Sequence, residues 1–392
     1  MARSDVVIVG AGPAGSLTAW SLARAGFSVT LVERARFPRR KVCGEYLNIG
    51  AVRLLDRLGL GATVRGAGSP LAGIRLVPPN GESVVLRFPE PALAIARETL
   101  DSLLLDAACA AGAQLVRSRV EDLEFDGESV SGVIARDEAG ETSSLRARFI
   151  VGADGAGSVV ARRLGVVEKL RGPRRFAVGG HYAGFGSMDR LVEMYVGAGA
   201  YFAVNPLDAQ RANVMVVVRE RSLAKWSRDI DEGVCGKAAE LGRGLRSFDG
   251  TQRIGPRVAV GPLAFDTRRA HVANALLVGD AAGFLNPFTG QGVYLALSGA
   301  LAAAGAVSSA LAGVNPATAF ARYDRERRAE VRKRRALSAL VSTMLDLPLV
   351  ARRATAKLSR VPSAADGLLA AISGIAPPES ALRPATVARL LL

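Results

Sequence analysis

The chain is poor in the residues on which several kinds of chemistry depend. Its three cysteines, Cys43, Cys109 and Cys235, lie far apart, and no two have metal-ligand spacing. A count this sparse and odd leaves no iron–sulfur cluster to expect and points to a reducing, cytoplasmic setting. His181 and His271 are its only histidines, neither with a partner at ligand or triad spacing, so no metal site is expected. Aromatic residues make up 5% of the chain, too few for an interleaved nucleic-acid surface, and no nucleic-acid module is visible. Internal repeats and low-complexity segments are lacking. The N-terminal apolar run passes at once into a glycine-rich turn, which argues against a signal peptide. Leu295 to Gly313 is long enough to cross a bilayer, but it is built of Ala, Gly and Ser rather than Leu. That composition suits a helix packed inside a protein.

What is present is glycine and positive charge. The 43 glycines of 392 residues exceed the usual share of roughly 7%, and many follow apolar runs, where a backbone must approach a ligand. The net charge of +15 asks for a polyanion, an acidic membrane surface or an anionic cofactor. The densest basic run, Arg322 to Arg335, is interrupted by Asp324, Glu326 and Glu330 at helical spacing, which reads as a solvated helix face.

Asp5 to Val9 reads as a buried strand leading into Gly10-Ala11-Gly12-Pro13-Ala14-Gly15, then a helix to about Ala25 and a strand ending at Glu33. This is a βαβ unit with a parallel sheet. Gly10 allows the tight turn, Gly12 lets the backbone reach a pyrophosphate, and Gly15 permits close helix–strand packing. The helix start offers free N–H groups to the phosphates. Glu33, at the strand end, can accept both ribose hydroxyls, which disfavours a 2′-phosphate and leaves FAD or NAD.

Further on, 97–112 reads as a helix with Cys109 on its apolar side. Runs at 114–125, 129–136 and 143–152 read as an antiparallel meander feeding Gly152-Ala153-Asp154-Gly155 and a short helix. From 176 to 220 the period is two, as in an antiparallel sheet, with a polar helix over 222–245. Leu276 to Val278 is a buried strand followed by Gly279-Asp280 and the loop Asn286-Pro287-Phe288-Thr289-Gly290-Gln291-Gly292, then a small-residue helix and a basic helical tail. Asp280 at a helix start can hydrogen-bond ribityl or ribose hydroxyls. The amides that open the helix at Gly290-Gln291-Gly292 suit the pyrimidine edge of a flavin, which becomes negative on reduction. These two segments favour FAD over NAD.

Together, Gly10–Gly15 with Glu33, Gly152–Gly155 with Ser158 and Arg162, and Gly279-Asp280 with Pro287 resemble the three fingerprints of the glutathione-reductase-type FAD superfamily. The chain looks most like the branch holding p-hydroxybenzoate-hydroxylase-like monooxygenases and geranylgeranyl reductases. The resemblance implies a mixed α/β fold: an FAD-binding Rossmann domain (1–75, 97–175, 255–330), an inserted antiparallel substrate sheet (76–96, 176–254) and a C-terminal helical region (331–392). By that similarity Arg97 contacts the FAD pyrophosphate, Asp154 supports the flavin and transient NADH or NADPH, and Asp280 holds the ribityl chain. Pro13, Ala14, Arg34 and Val120 join the cofactor-binding set. Arg40-Lys41-Val42-Cys43-Gly44-Glu45 resembles the Lys-x-Cys-Gly loop beside the isoalloxazine in geranylgeranyl-reductase-like flavoproteins, which places Lys41, Cys43 and Gly44 at the cofactor. Cys43 reads equally well as a loop thiol at the flavin and as an inert buried one. Cys43 and His181 are the candidate catalytic residues.

Three reactions fit. NAD(P)H reduces the flavin and O2 then supplies oxygen to a lipophilic aromatic, quinone or polyketide-type metabolite in a dry pocket. Alternatively, reduced flavin delivers hydride to an isoprenoid double bond. The segment 199–206 (Gly-Ala-Tyr-Phe-Ala-Val-Asn-Pro) lacks the Trp and basic residue of the geranylgeranyl reductase pattern, which favours oxygenation. Halogenation lacks its Trp-x-Trp-x-Ile-Pro signature, since the tryptophans are Trp20 and Trp226 alone. The third reaction is none at all, a non-catalytic flavoprotein. The expected partners are a small lipophilic substrate and, for oxygenation, O2. Peripheral contact with the inner membrane face, and a monomer or homodimer, stay open.

Overall fold

The computed structural model describes residues 3–79, 82–168, 174–197, 199–226, 229–242, 250–263, 265–284 and 287–383. Asn286 of the predicted loop, 243–245 of the predicted polar helix and the tail beyond 383 lie outside them.

The β-branched run Ser4–Val9 forms the middle of the first sheet because both its faces are covered. It pairs in parallel with Val29–Glu33 on one side, Val6 opposite Val29, and with Thr142–Gly152 on the other, Val6 opposite Phe149. Gln114–Arg117 adds a parallel strand beside Val29–Glu33, and Ala275–Leu277 adds one beside Thr142–Gly152. The predicted meander is therefore divided. Its first run breaks at Ser118: 114–117 joins the parallel sheet, and Arg119–Asp126 turns away to pair with Ser129–Arg136. Thr142–Gly152 serves both, antiparallel to Ser129–Arg136 through its first half and parallel to Ser4–Val9 through its second.

Helix Arg97–Ala110 buries Arg97, Leu100, Asp101, Leu104, Leu105 and Ala108. That face is rotated from the one the apolar pattern marked, so Cys109 is exposed instead of sitting in the core. The small-residue helix Gly292–Leu311 is long and apolar enough to cross a membrane. It packs against helices Pro13–Arg24, Ile49–Arg57 and Pro316–Asp346, with Leu297, Ala300, Ala303 and Val307 fully buried.

The second sheet runs in the order Gln252–Val260, Arg175–Ala183, Arg211–Arg219, Ala200–Pro206, Leu191–Gly197, Ser69–Val77, Val84–Ala94, Tyr46–Leu47. Apart from the edge strand Tyr46–Leu47, which lies outside the expected ranges altogether, its membership begins at Ser69 and ends at Val260, against expected limits of 76 and 254. Hydrogen bonding to Leu191–Gly197 and to Arg175–Ala183 draws those extra residues in. The polar segment forms two helices, Glu220–Lys225 and Ile230–Gly242. No break falls at 330, because one helix runs from Pro316 to Asp346. It is followed by helices Pro348–Arg360, Pro362–Ile372 and Glu379–Leu382. These lie over one face of the second sheet, where Leu337, Val341, Ala354, Leu358 and Leu369 bury against Val84, Val196, Tyr201 and Met215.

Candidate functional site

The glycine turn is shaped from two sides. A Cβ on Gly15 would stand 1.8 Å from the Gly10 carbonyl, and one on Gly10 would stand 2.6 Å from that of Ala153, so both glycines are required by backbone packing. Gly10 also has φ +98°, where L side chains are strained. Gly12 differs: a Cβ there would meet only the Arg39 guanidinium at 3.7 Å, so the turn is open on that side. Pro13 opens the helix, Ala14 is buried behind it, and no side chain caps its first amides.

Glu33 is buried at the end of its strand, with Oε2 accepting from the Ala11 N–H (2.9 Å) and Oε1 from the Ala35 N–H (2.8 Å). Arg34 beside it is exposed. Val120 puts its side chain into the core of the first domain. Arg97 is buried, but its guanidinium lies bidentate on Asp101 at 2.7 and 2.8 Å. Arg39 reaches from Asp101 (3.2 Å) to Glu33 (3.8 Å) and over Gly12. Arg39 and Asp101 escaped the sequence reading, although the run Arg39-Arg40-Lys41 beside the Cys-Gly pair was a signal.

Lys41 extends its ammonium to Gly155, where a Cβ would stand 2.8 Å away. Burial and the Arg97 charge lower its pKa, while Asp280 opposes that shift. Asp280, in the first turn of the 3-10 segment Gly279–Ala282, has its pKa raised by burial against the pull of Lys41 and Arg97. Asp154 turns to its own helix: Oδ1 accepts from the Ser158 hydroxyl (2.5 Å) and Oδ2 from the Val159 N–H (2.6 Å), while burial raises its pKa. Behind Asp280 a cleft of about 190 Å³ opens between Gly292–Leu311 and Pro316–Asp346, walled by Tyr323, Arg327 and Glu330. It is smaller than the few hundred Å³ that a drug-sized ligand needs.

The Cys43–Glu45 loop is held by the second sheet. Asn213 donates to the Cys43 carbonyl (2.7 Å), and Asn205 donates to those of Gly44 (3.0 Å) and Glu45 (2.9 Å). Glu45 has φ +56°, an uncommon left-handed conformation for a residue with a side chain. Its Oε1 accepts from the Arg97 N–H (2.9 Å) and its Oε2 lies 2.7 Å from His181 Nε2. The two candidate catalytic residues are thus joined through Glu45, a residue the sequence reading did not weigh. Burial raises the Cys43 pKa even though Arg97 lies beside it, so the group is a thiol at neutral pH. His271 sits elsewhere, its Nδ1 3.7 Å from Asp324.

At the start of helix Gly292–Leu311 no side chain caps the first amides, and a Cβ on Gly292 would meet nothing within 4 Å. Gly290 has φ +62° and lies against the Tyr46 ring. The Gln291 side chain turns away, donating to the carbonyls of Ala371 (3.3 Å) and Ile372 (3.1 Å) in the C-terminal helices. Pro287 opens a short 3-10 turn whose Phe288 packs edge-on to Tyr201 at 4.9 Å.

The residues present fit FAD. Two uncapped helix starts with glycine-open surfaces, at Gly12 and Gly292, suit a diphosphate and a flavin edge. Three cations, Arg39, Lys41 and Arg97, gather with the acids Glu33, Asp101 and Asp280, which suits a cofactor with both charged and hydroxyl-rich parts. A parallel sheet with this glycine turn, joined to a capped sheet that is antiparallel except where Leu191–Gly197 runs parallel to Ser69–Val77, defines an FAD-dependent oxidoreductase.

The chain belongs to the FAD binding domain family, which residues 3–336 match. It is 28% identical over 342 residues to digeranylgeranylglycerophospholipid reductase 1 of Methanothermobacter thermautotrophicus, covering 83% of each chain. It is 31% identical to menaquinone reductase of Mycolicibacterium smegmatis, over 77% of this chain and 76% of that one. Among solved structures the flavin-dependent brominase Bmp2 superposes with a TM-score of 0.85 at 21% identity, covering 95% of this chain and 94% of that one. At that identity the likeness speaks for the fold.

Proposed function

We propose that this enzyme is an NAD(P)H-driven FAD monooxygenase acting on a small lipophilic substrate. One observation carries the reading: an apolar cluster, roofed by the C-terminal helices, lies against both segments expected to face the flavin. Val42 of the Cys-Gly loop and Phe288 of the loop before Gly292 pack into the same cluster as Tyr201, Met215, Leu337 and Leu369. When bound, FAD would supply the redox chemistry, with NAD(P)H as the reductant and O2 as the oxidant. The chain's residues do the rest. The uncapped amides at Gly292 would suit the flavin edge that gains negative charge on reduction. The roof excludes water from the reacting centre. Arg97, held on Asp101 and donating its N–H to Glu45, and the Glu45–His181 pair hold the loop between helix Arg97–Ala110 and the second sheet.

A second reading, hydride delivery to a double bond of an isoprenoid lipid, draws on the relatives named as reductases. The two readings part under argon. NAD(P)H consumption with quinone, alkyl-aromatic and isoprenoid substrates would be followed with and without O2, and the product weighed. Oxygen-dependent turnover giving a product heavier by one oxygen atom is expected. Stoichiometric anaerobic turnover, with two hydrogens gained, overturns the monooxygenase reading in favour of the second.

A further inference from the structure

Helix Pro348–Arg360 has two unlike faces. Ala351, Ala354 and Leu358 are buried over the second sheet as part of the roof. On the outside, Arg352, Arg353 and Arg360 are exposed and Lys357 is half-exposed. None of these four cations has an ion-pair partner among the described residues, although arginines on other surfaces are paired, as Arg36 is with Glu138 and Arg65 with Asp56. From 347 to 378 the sequence holds a single acid, Asp366. At the N-terminal end of the helix Leu347 and Leu349 are 51% and 73% exposed, two of the five large apolar side chains exposed among the described residues. A lone exposed leucine needs no explanation. Two of them beside four unpaired cations, on the outer side of the roof, form a surface with both an apolar and a cationic component.

We propose that this face docks on an anionic lipid bilayer, with Leu347 and Leu349 entering the acyl boundary and the four cations lying among the headgroups. Two exposed leucines gain nothing from a phosphodiester backbone, and the helix lacks the aromatics of a nucleic-acid surface, so lipid fits where nucleic acid does not. The geometry also explains why the face lies on the roof. A gap under the preceding roof helix, lined by Val196, Tyr201, Phe288 and Ser342 among others, is about 10 Å³, too small for a substrate in this arrangement of the roof. With the roof resting on lipid, an apolar molecule would pass from the bilayer to the sheet beneath without crossing water. The docking surface is argued from charge and exposure alone and holds whichever reaction the flavin carries out, so its test needs no turnover.

The test is flotation of the full-length, FAD-loaded protein with vesicles of phosphatidylcholine alone and of phosphatidylcholine mixed with phosphatidylglycerol. Wild type should float with the mixed vesicles at low salt and much less at high salt, and should stay behind with neutral ones. Replacing Arg352, Arg353 and Arg360 together by Glu should weaken binding at least about a hundredfold, since each surface cation is worth roughly fivefold. Replacing Leu347 and Leu349 by Ser should weaken it about tenfold or more, as two buried leucine contacts are lost. Flavin absorbance at wild-type yield in both variants shows that they fold. Failure of the wild type to float with anionic vesicles overturns the proposal, as does equal binding by the arginine variant. Equal binding by the leucine variant identifies a merely electrostatic surface, suited to an acidic protein, and overturns it as well.

Discussion

Replacing Glu45 in three ways separates the contributions that meet at that residue. Its buried carboxylate accepts the Arg97 N–H at 2.9 Å and bonds His181 at 2.7 Å, while its backbone holds φ +56°. Glu45→Ala leaves two buried polar groups without a partner, each worth about 1–3 kcal/mol, so a loss of about 2–6 kcal/mol is expected. Glu45→Gln keeps an acceptor for the Arg97 amide and an amide group facing His181, and should cost only about 1 kcal/mol. Glu45→Gly loses the same hydrogen bonds as Ala but adopts the left-handed conformation freely, so it should be about 1 kcal/mol more stable than Ala. Urea denaturation read by far-UV circular dichroism gives the ranking: wild type, Gln, Gly, Ala. Flavin content in the same preparations reports on the expected cofactor site, since the loop bearing Lys41 and Cys43 is released when its clamp is lost. Equal stability of the Ala and Gln variants would refute the clamp, and an Ala variant as stable as the Gly variant would refute the strain.

Three further outcomes are expected. Gly12→Ala should fold and lose FAD, because its new methyl group meets only Arg39 inside the protein yet fills the open face of the turn; Gly15→Ala should not fold, with its Cβ 1.8 Å from a carbonyl. Soluble Gly12→Ala protein that keeps a full flavin spectrum would contradict the assignment. Asp280→Ala should purify colourless, whereas yellow protein at full occupancy would mean that the carboxylate does not hold the ribityl chain. The hydrogen bond from Arg257, with Arg253 assisting, lowers the Asp231 pKa to about 2 from an ordinary 3.8. A depressed folded-state pKa means that this stability is present above pH 4 and is lost as pH falls towards 2. Asp231→Asn should therefore flatten the acid limb of a thermal-melting profile between pH 4 and 2, and an unchanged limb would show that the pair contributes nothing.

Short-range order was legible in the sequence because it depends on neighbours along the chain. The strand–glycine turn–helix unit from Asp5 to Glu33, the strand before Gly279 and the period-two runs after 176 needed only local sterics and alternation of polarity. Even there, rotation of helix 97–110 by one position exposed Cys109, since tertiary packing chooses which edge of a broad apolar stripe is buried. Contacts across long loops were not legible. The Arg97–Asp101 pair is local, yet only the approach of Arg39 and Lys41 shows that the cluster faces the glycine turn. Gln291, placed by motif at the cofactor, is turned to the carbonyls of Ala371 and Ile372, which stand 80 residues or more further along the chain. Glu45 and Asn205 stand inside quoted segments with no role read from them, and Asn213 in none; only burial of their side chains makes Asn205 and Asn213 partners of the Cys43 loop and Glu45 its link to His181. By itself, then, the sequence determined an FAD-binding oxidoreductase, because phosphate-binding turns are written in contiguous glycines. The clamp on the loop, the roof over the second sheet and the outer face of that roof were decided by tertiary structure, because each is made by residues that meet only once the two sheets and the C-terminal helices have packed.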